Sequence, residues 1–176
     1  RPNIVVHLCG SHGGIHTGTD GSSAQSIEDL AIYRTLPNMT VIHPSDDFAA
    51  RALTLSLRHH NQPSYMRTVR NKVPRTYTEE SATELKIGLG HVHRKGNDVA
   101  IIACGVMLNE AIEAADILSS EGIEASVVDM HTIKPLDEHL VEQLSQECGA
   151  IVTAEDHSII GGLGGAVAEC VVSTNP

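Results

Sequence analysis

The chain has 176 residues, 41% of them hydrophobic, and a formal net charge of −10, enough for one good core or two small domains. Such acidity repels phosphate backbones overall, and aromatics at 2% with no tryptophan supply few stacking platforms for single strands, so a nucleic-acid partner is disfavoured; a local cationic pocket for one small phosphate is not. No apolar run approaches the ~18–20 residues of a membrane span.

In chain order, Ile4–Leu8 is a short apolar run and reads as a central parallel strand. A loop with five glycines follows (Gly10, Gly13, Gly14, Gly18, Gly21), carrying His12, His16 and Asp20. A helix should open at Gln25 or Ser26, with Asp29 in a capping-box position, and end before Pro37-Asn38. Thr40–His43 reads as a strand, and Ser45 or Asp46 as the N-cap of a helix over Phe48–His60. Phe48, Ala52 and Leu55 mark one side of that helix, and Leu53 and Leu57 fill the stripe. Ser64–Val69 alternates as a third strand.

Residues 71–86 turn polar and read as a linker. Beyond it, Ile87–His93 reads as an edge hairpin arm. Asp98–Cys104 is a strand that Gly105 turns into a helix over Met107–Glu121. Glu124–Asp129 is a strand, a helix runs from Pro135 to about Cys148, Ala150–Ala154 is a strand, and a last helix begins in Gly161-Gly-Leu-Gly-Gly. The alternation predicts an α/β protein with parallel sheets in two units. The first has only three strands and two helices, and with no initiator Met the chain is expected to be part of something longer. Cys9, Cys104, Cys148 and Cys170 are scattered through apolar contexts and read as buried free thiols of a reducing cytoplasm.

Polar groups on a glycine-rich loop at the carboxyl end of a strand mark where open α/β sheets bind ligands. Glycines there let backbone N–H groups approach an anion or substrate closely. His12 can donate or accept a hydrogen bond, and Asp20 can hold a hydroxyl. His12 and His16 are four apart, but the glycines between them oppose a helix, so no metal pair is expected. Arg67 and Arg70 end the third strand on opposite faces. Arg70, further toward the carboxyl end, is the chosen phosphate clamp. Gly161-Gly-Leu-Gly-Gly lacks the rest of a P-loop and reads as close helix–strand packing. Interface or structural roles are expected of Glu155-Asp156-His157.

Several stretches together carry a resemblance. These are Ser11-His12 ahead of Asp20-Gly-x-x-x-Gln25-x-x-Glu28-Asp-Leu-Ala-x-x-Arg34-x-x-Pro37-Asn38-Met-x-Val-x-x-Pro44-x-Asp46, Pro63 leading to Arg70, Gly105 and Lys134-Pro135-Leu-Asp137. Last comes Glu155-Asp-His-Ser-Ile-Ile-Gly-Gly-Leu-Gly-Gly-Ala-Val-Ala-Glu169. Together they resemble the thiamine diphosphate-dependent transketolase family, above all its split, two-subunit members. The resemblance implies the later half of a pyrimidine-binding domain at 1–70, the linker at 71–86 and most of a transketolase carboxy-terminal domain at 87–176.

It also implies a substrate-contacting His12, a hydroxyl-reading Asp20 and a phosphate-binding Arg70. Where the family usually has a second histidine this chain has Ala24, which cannot bond a sugar hydroxyl. The implied reaction moves a two-carbon ketol unit between sugar phosphates in carbohydrate metabolism of the pentose phosphate type, with the cofactor as electron sink. The activating glutamate and ring-stacking aromatics would lie upstream of Arg1. The diphosphate and a divalent metal such as Mg2+ would bind on an amino-terminal partner subunit. The chain alone would then be inactive, working in the cytoplasm within a homo-oligomer or heterotetramer. The alternatives are an E1 β-like subunit of a 2-oxo acid dehydrogenase and a non-catalytic assembly subunit.

Overall fold

A computed structural model describes residues 4–174; the Arg-Pro-Asn start and the Asn-Pro end lie outside the described residues. In order, the elements are β1 (His7–Gly10), α1 (Asp29–Thr35), β2 (Thr40–Ile42), α2 (Asp47–Leu57), β3 (Ser64–Arg67), β4 (His91–Arg94), β5 (Val99–Ala103), α3 (Met107–Ser120), β6 (Ala125–Asp129), β7 (Thr132–Lys134), α4 (Glu138–Glu147), β8 (Ile151–Ala154) and α5 (Leu163–Thr174). They build two four-stranded sheets, ordered β1-β3-β2-β7 and β4-β6-β5-β8. The parallel pairs carry the α/β alternation; β7 and β4 are the antiparallel additions.

The first strand departs from expectation. It begins at His7, opposite Ser64, and forms an edge of its sheet rather than the centre. Ile4, Val5 and Val6 are exposed. An apolar run marks a central strand only when neighbours cover both its faces, and among the described residues none lies beyond β1.

Helix α1 also starts late, at Asp29. Ser26 cannot cap it, because Ser26 is held in bridges to Gly13 and Gly14 and its carbonyl accepts from Gly14 N and Arg67 Nη2. Asp29 instead accepts a 2.6 Å bond from the Tyr65 hydroxyl. Asp46 does cap α2, taking Ala49 N at 2.8 Å. The face α2 buries is Ala49, Leu53 and Leu57, whereas Leu55 is exposed.

Segment 91–94 lies at an edge as expected, but it pairs with β6 and not with the next strand. Both edges of β5 are already taken by the parallel β6 and β8. The sequence reading missed β7, three residues long. It crosses from the second half of the chain and adds to β2 of the first sheet.

Both apolar cores draw on both halves. Leu30 and Val41 pack with Ile102, Met130, Ile133 and Leu163. Ile42 and Leu53 pack with Ile101, Leu108 and Val127. Within 71–86, Tyr77, Ala82 and Leu85 are buried. Asp46 Oδ2 accepts from Thr76 N and Tyr77 N, each at 2.8 Å, while the Tyr77 hydroxyl donates to Asp129 Oδ2 at 2.9 Å.

This junction contributes to the acid response. Burial pushes His93 and His131 down to about 4 and His43 well below its usual value. The unfolded chain protonates these histidines near pH ~6.5 and the folded chain does not, so stability falls as pH drops from about 6.5 to about 4. Asp129 opposes them. Burial raises its carboxyl to about 7, against the pull of hydrogen bonds from Tyr77 and Ser45. The folded chain therefore holds that proton where the unfolded chain has lost it. That contribution is full in acid and is lost as pH rises through about 7. Asp129→Asn should thus steepen the acid loss of stability, measured by urea denaturation between about pH 5 and pH 8. Parallel profiles for the two proteins would refute this.

Candidate functional site

The glycine loop leaves the carboxyl end of β1 and lies over the end of β3. Gly13 N donates to Thr68 O, and Thr68 N to Gly10 O. Three residues singled out in the sequence meet here. Arg70 Nε lies 2.9 Å from Asp20 Oδ2, and His12 Nε2 lies 3.7 Å from the same oxygen. All three side chains keep solvent access, at 42%, 30% and 40% exposure for Arg70, Asp20 and His12. One carboxylate thus sits between a guanidinium and an imidazole, on the sheet edge where ligands bind. The guanidinium keeps further N–H donors for a phosphate or carboxylate.

His12 holds its place in a left-handed backbone conformation, φ 67°, which is uncommon for a side-chain-bearing residue. The Ser11 hydroxyl lies 2.5 Å from its Nδ1. Asn71, next to Arg70, donates from Nδ2 to the carbonyl of His16 and ties the strand end to the loop.

The glycines serve a purpose other than the expected one. Several loop amides are already bonded within the chain. Gly14 N bonds Ser26 O, Gly18 N bonds Ile15 O, and Ile15 N and His16 N both go to the carboxylate of Asp156. A Cβ on Gly13 would fall on the Arg67 side chain, and one on Gly14 on the Asp156 carboxylate. These glycines admit the protein's own charged groups.

Arg67, set aside in favour of Arg70, is fully buried beneath the loop. Its Nη2 donates to Asp156 O at 2.7 Å and to Ser26 O at 3.2 Å. Its Nε stands 3.5 Å from Asp29 Oδ2, within Coulomb reach though beyond a hydrogen bond. The signal was available: in the alternation Tyr65, Arg67, Val69 a cation occupies a strand face, and a buried cation needs partners.

The second glycine cluster also receives an internal anion. Glu155 Oε2 accepts from Leu163 N at 2.7 Å and Oε1 from Gly164 N at 2.9 Å. A carboxylate at the start of α5 is favoured by the helix dipole, and a Cβ on Gly162 would collide with it. Ala31 N lies 3.4 Å from His157 Nε2. The side chains of residues 155–157 all make contacts within the chain. The cysteines are all free, but Cys9 is exposed where a buried thiol was expected.

Comparison with known proteins identifies the family. The family model "Transketolase, pyrimidine binding domain" matches residues 1–76, and "Transketolase, C-terminal domain" matches residues 88–175. The chain belongs to the transketolase family. Among its relatives is a putative transketolase C-terminal section of Methanocaldococcus jannaschii, 41% identical over 98% of this chain and 54% of the relative. Another is a 6-deoxy-6-sulfo-D-fructose transketolase subunit of a Clostridium species, 40% identical over 98% of this chain and 53% of that subunit. A solved split-gene transketolase, described as an inactive β4 tetramer, superimposes with a TM-score of 0.88 at 41% identity, over 97% of this chain and 54% of its own. The transketolase chain described here spans about half the length of these relatives.

Proposed function

We propose that this chain is part of the carboxy-terminal section of a split transketolase acting on sugar phosphates. In this reading residues 1–70 are the later half of the pyrimidine-binding domain, 71–86 the linker and 87–176 the carboxy-terminal domain. The observation that carries it is the convergence of His12, Asp20 and Arg70 on one exposed sheet edge. His12 and Asp20 orient sugar hydroxyls, and Arg70 clamps the distal phosphate. Ala24, lacking a hydrogen-bonding side chain, sets which sugars are accepted. Split relatives named as transketolase subunits favour this reading over an E1 β-like subunit.

The described residues do not by themselves fit the cofactor. No group of three or more of their His, Cys, Asp or Glu side chains could hold a metal ion. Their aromatic rings are engaged elsewhere: Tyr33 stacks on Tyr65, Phe48 lies under Arg75, and Tyr77 is bonded to Asp129. Thiamine diphosphate and its divalent ion therefore belong, in this proposal, to residues outside those described, chiefly on a diphosphate-binding amino-terminal subunit. Together the subunits transfer a two-carbon ketol unit.

The test is sugar-phosphate turnover by this chain with thiamine diphosphate, with and without that subunit. Turnover is expected only with it; activity of the chain alone would overturn the account. In the active assembly Asp20→Ala should lower kcat/KM by about 1.5–3 kcal/mol for each charged hydrogen bond lost. Arg70→Ala should weaken phosphorylated substrates and leave unphosphorylated ones nearly unaffected. Equal losses for both would refute a phosphate clamp, and unchanged sugar kinetics in both variants would leave a non-catalytic assembly subunit.

A further inference from the structure

We infer that Asp156 is a positioning residue for the sugar-binding loop, acting from the second half of the chain on the placement of His12 and Asp20. The inference rests on the reading of that loop given above. Asp156 follows β8, some 140 residues along the chain from its targets, and is 9% exposed. Its Oδ1 accepts from Ile15 N at 3.0 Å, and its Oδ2 from Ile15 N at 3.1 Å and His16 N at 3.2 Å. Those amides lie between His12 and Asp20, the two loop residues that face solvent beside Arg70.

Three further features make this contact a brace. Gly14, at φ 74°, has no side chain, so the Asp156 carboxylate can lie against the loop backbone. Arg67 Nη2 holds the Asp156 carbonyl at 2.7 Å and Ser26 O at 3.2 Å, which ties the brace to the segment entering α1. Asn71 grips the His16 carbonyl from the side of Arg70. Residues 15–16 are thereby held through their N–H groups by one half of the chain and through the His16 carbonyl by the other. A glycine-rich loop has many accessible backbone states, and two opposed anchors select one of them. The second half of the chain thus sets the geometry of a site whose sugar-contacting residues all lie in the first half.

The experiment compares wild type, Asp156→Ala and Asp156→Asn. Native-state hydrogen exchange is read on the chain alone, and steady-state kinetics on the complex with the diphosphate-binding subunit. In Asp156→Ala, exchange in the segment 12–20 should rise about tenfold or more, the effect of losing a charge-assisted hydrogen bond. Exchange in β5 and α3 should stay as in wild type. KM for the sugar phosphate should rise by about the same factor, with kcat changed far less.

Added formate, a carboxylate small enough for the vacated space, should lower KM again in Asp156→Ala and have no effect on wild type. Asp156→Asn keeps an acceptor oxygen and the side-chain volume, should fold where the alanine variant fails, and should fall between the other two. Wild-type exchange in 12–20 with unchanged KM overturns the inference. So does faster exchange spread evenly over 12–20, β5 and α3, which marks a purely structural group. An inactive wild-type complex that still shows localised loosening in the variants would overturn the transketolase reading and leave the brace standing.

Discussion

Arg67→Met should destabilise the fold by about 3–5 kcal/mol, the usual cost of removing one partner from a buried charged pair. Arg67 is fully buried. Its loss leaves Asp29 buried with only the Tyr65 hydroxyl on Oδ2 and no partner on Oδ1. The carbonyls of Ser26 and Asp156 lose a charged donor as well. Methionine fills much of the volume, so the loss is electrostatic more than a matter of packing. Urea denaturation should show a lower midpoint with an unchanged slope. Removing the carboxylate too, in Arg67→Met with Asp29→Leu, should restore much of the stability, since apolar replacement of a whole buried pair is often close to neutral. A loss below about 1 kcal/mol for Arg67→Met alone would mean that Asp29 needs no countercharge.

Gly105→Ala carries the second large effect. Gly105 turns the chain from β5 into α3 at φ 59°, and a Cβ there would land inside the imidazole of His43. That ring is fully buried, and neither of its nitrogens has a hydrogen-bond partner. Backbone hydrogen bonds hold the two segments together, Gly105 N donating to His43 O at 3.2 Å and His43 N to His131 O at 2.8 Å. Any shift of the ring must displace buried neighbours. Left-handed strain of about 1–3 kcal/mol therefore adds to a similar overpacking cost. Gly122→Ala is the control. Gly122 has φ 81°, but its Cβ position is open, so only the backbone cost of about 1–2 kcal/mol should appear. Equal midpoints for the two variants would show that His43 yields to the intruding methyl.

Helix caps and strand ends marked by a single local signal were legible in the sequence. Asp46 caps α2 through its own side chain, and Gly105 turns the chain from β5 into α3 at positive φ; the helix expected from Pro135 instead starts at Glu138, capped by Asp137. His12, Asp20 and Arg70, picked out as polar groups at a sheet edge, do meet there. What escaped were contacts whose two halves lie far apart in the chain. Ser26 looked like a cap until Gly14 and Arg67 claimed its carbonyl. The glycine loop looked like an anion cradle because periodicity cannot reveal that Asp156 already fills it. Strand β7 escaped because three residues carry too little pattern to register, although β2 lacks one neighbour without them.

That borrowed strand fixes when the first sheet can close. Residues 132–134 must leave the ribosome before β2 gains its second neighbour, so a nascent chain arrested between α3 and β6 exposes a bare strand edge, open to pairing with another chain. Separately expressed halves split at residue 80 should each be poorly soluble and should recover when made together. Interrupting the chain there removes one covalent bond and leaves the β2–β7 pairing to re-form.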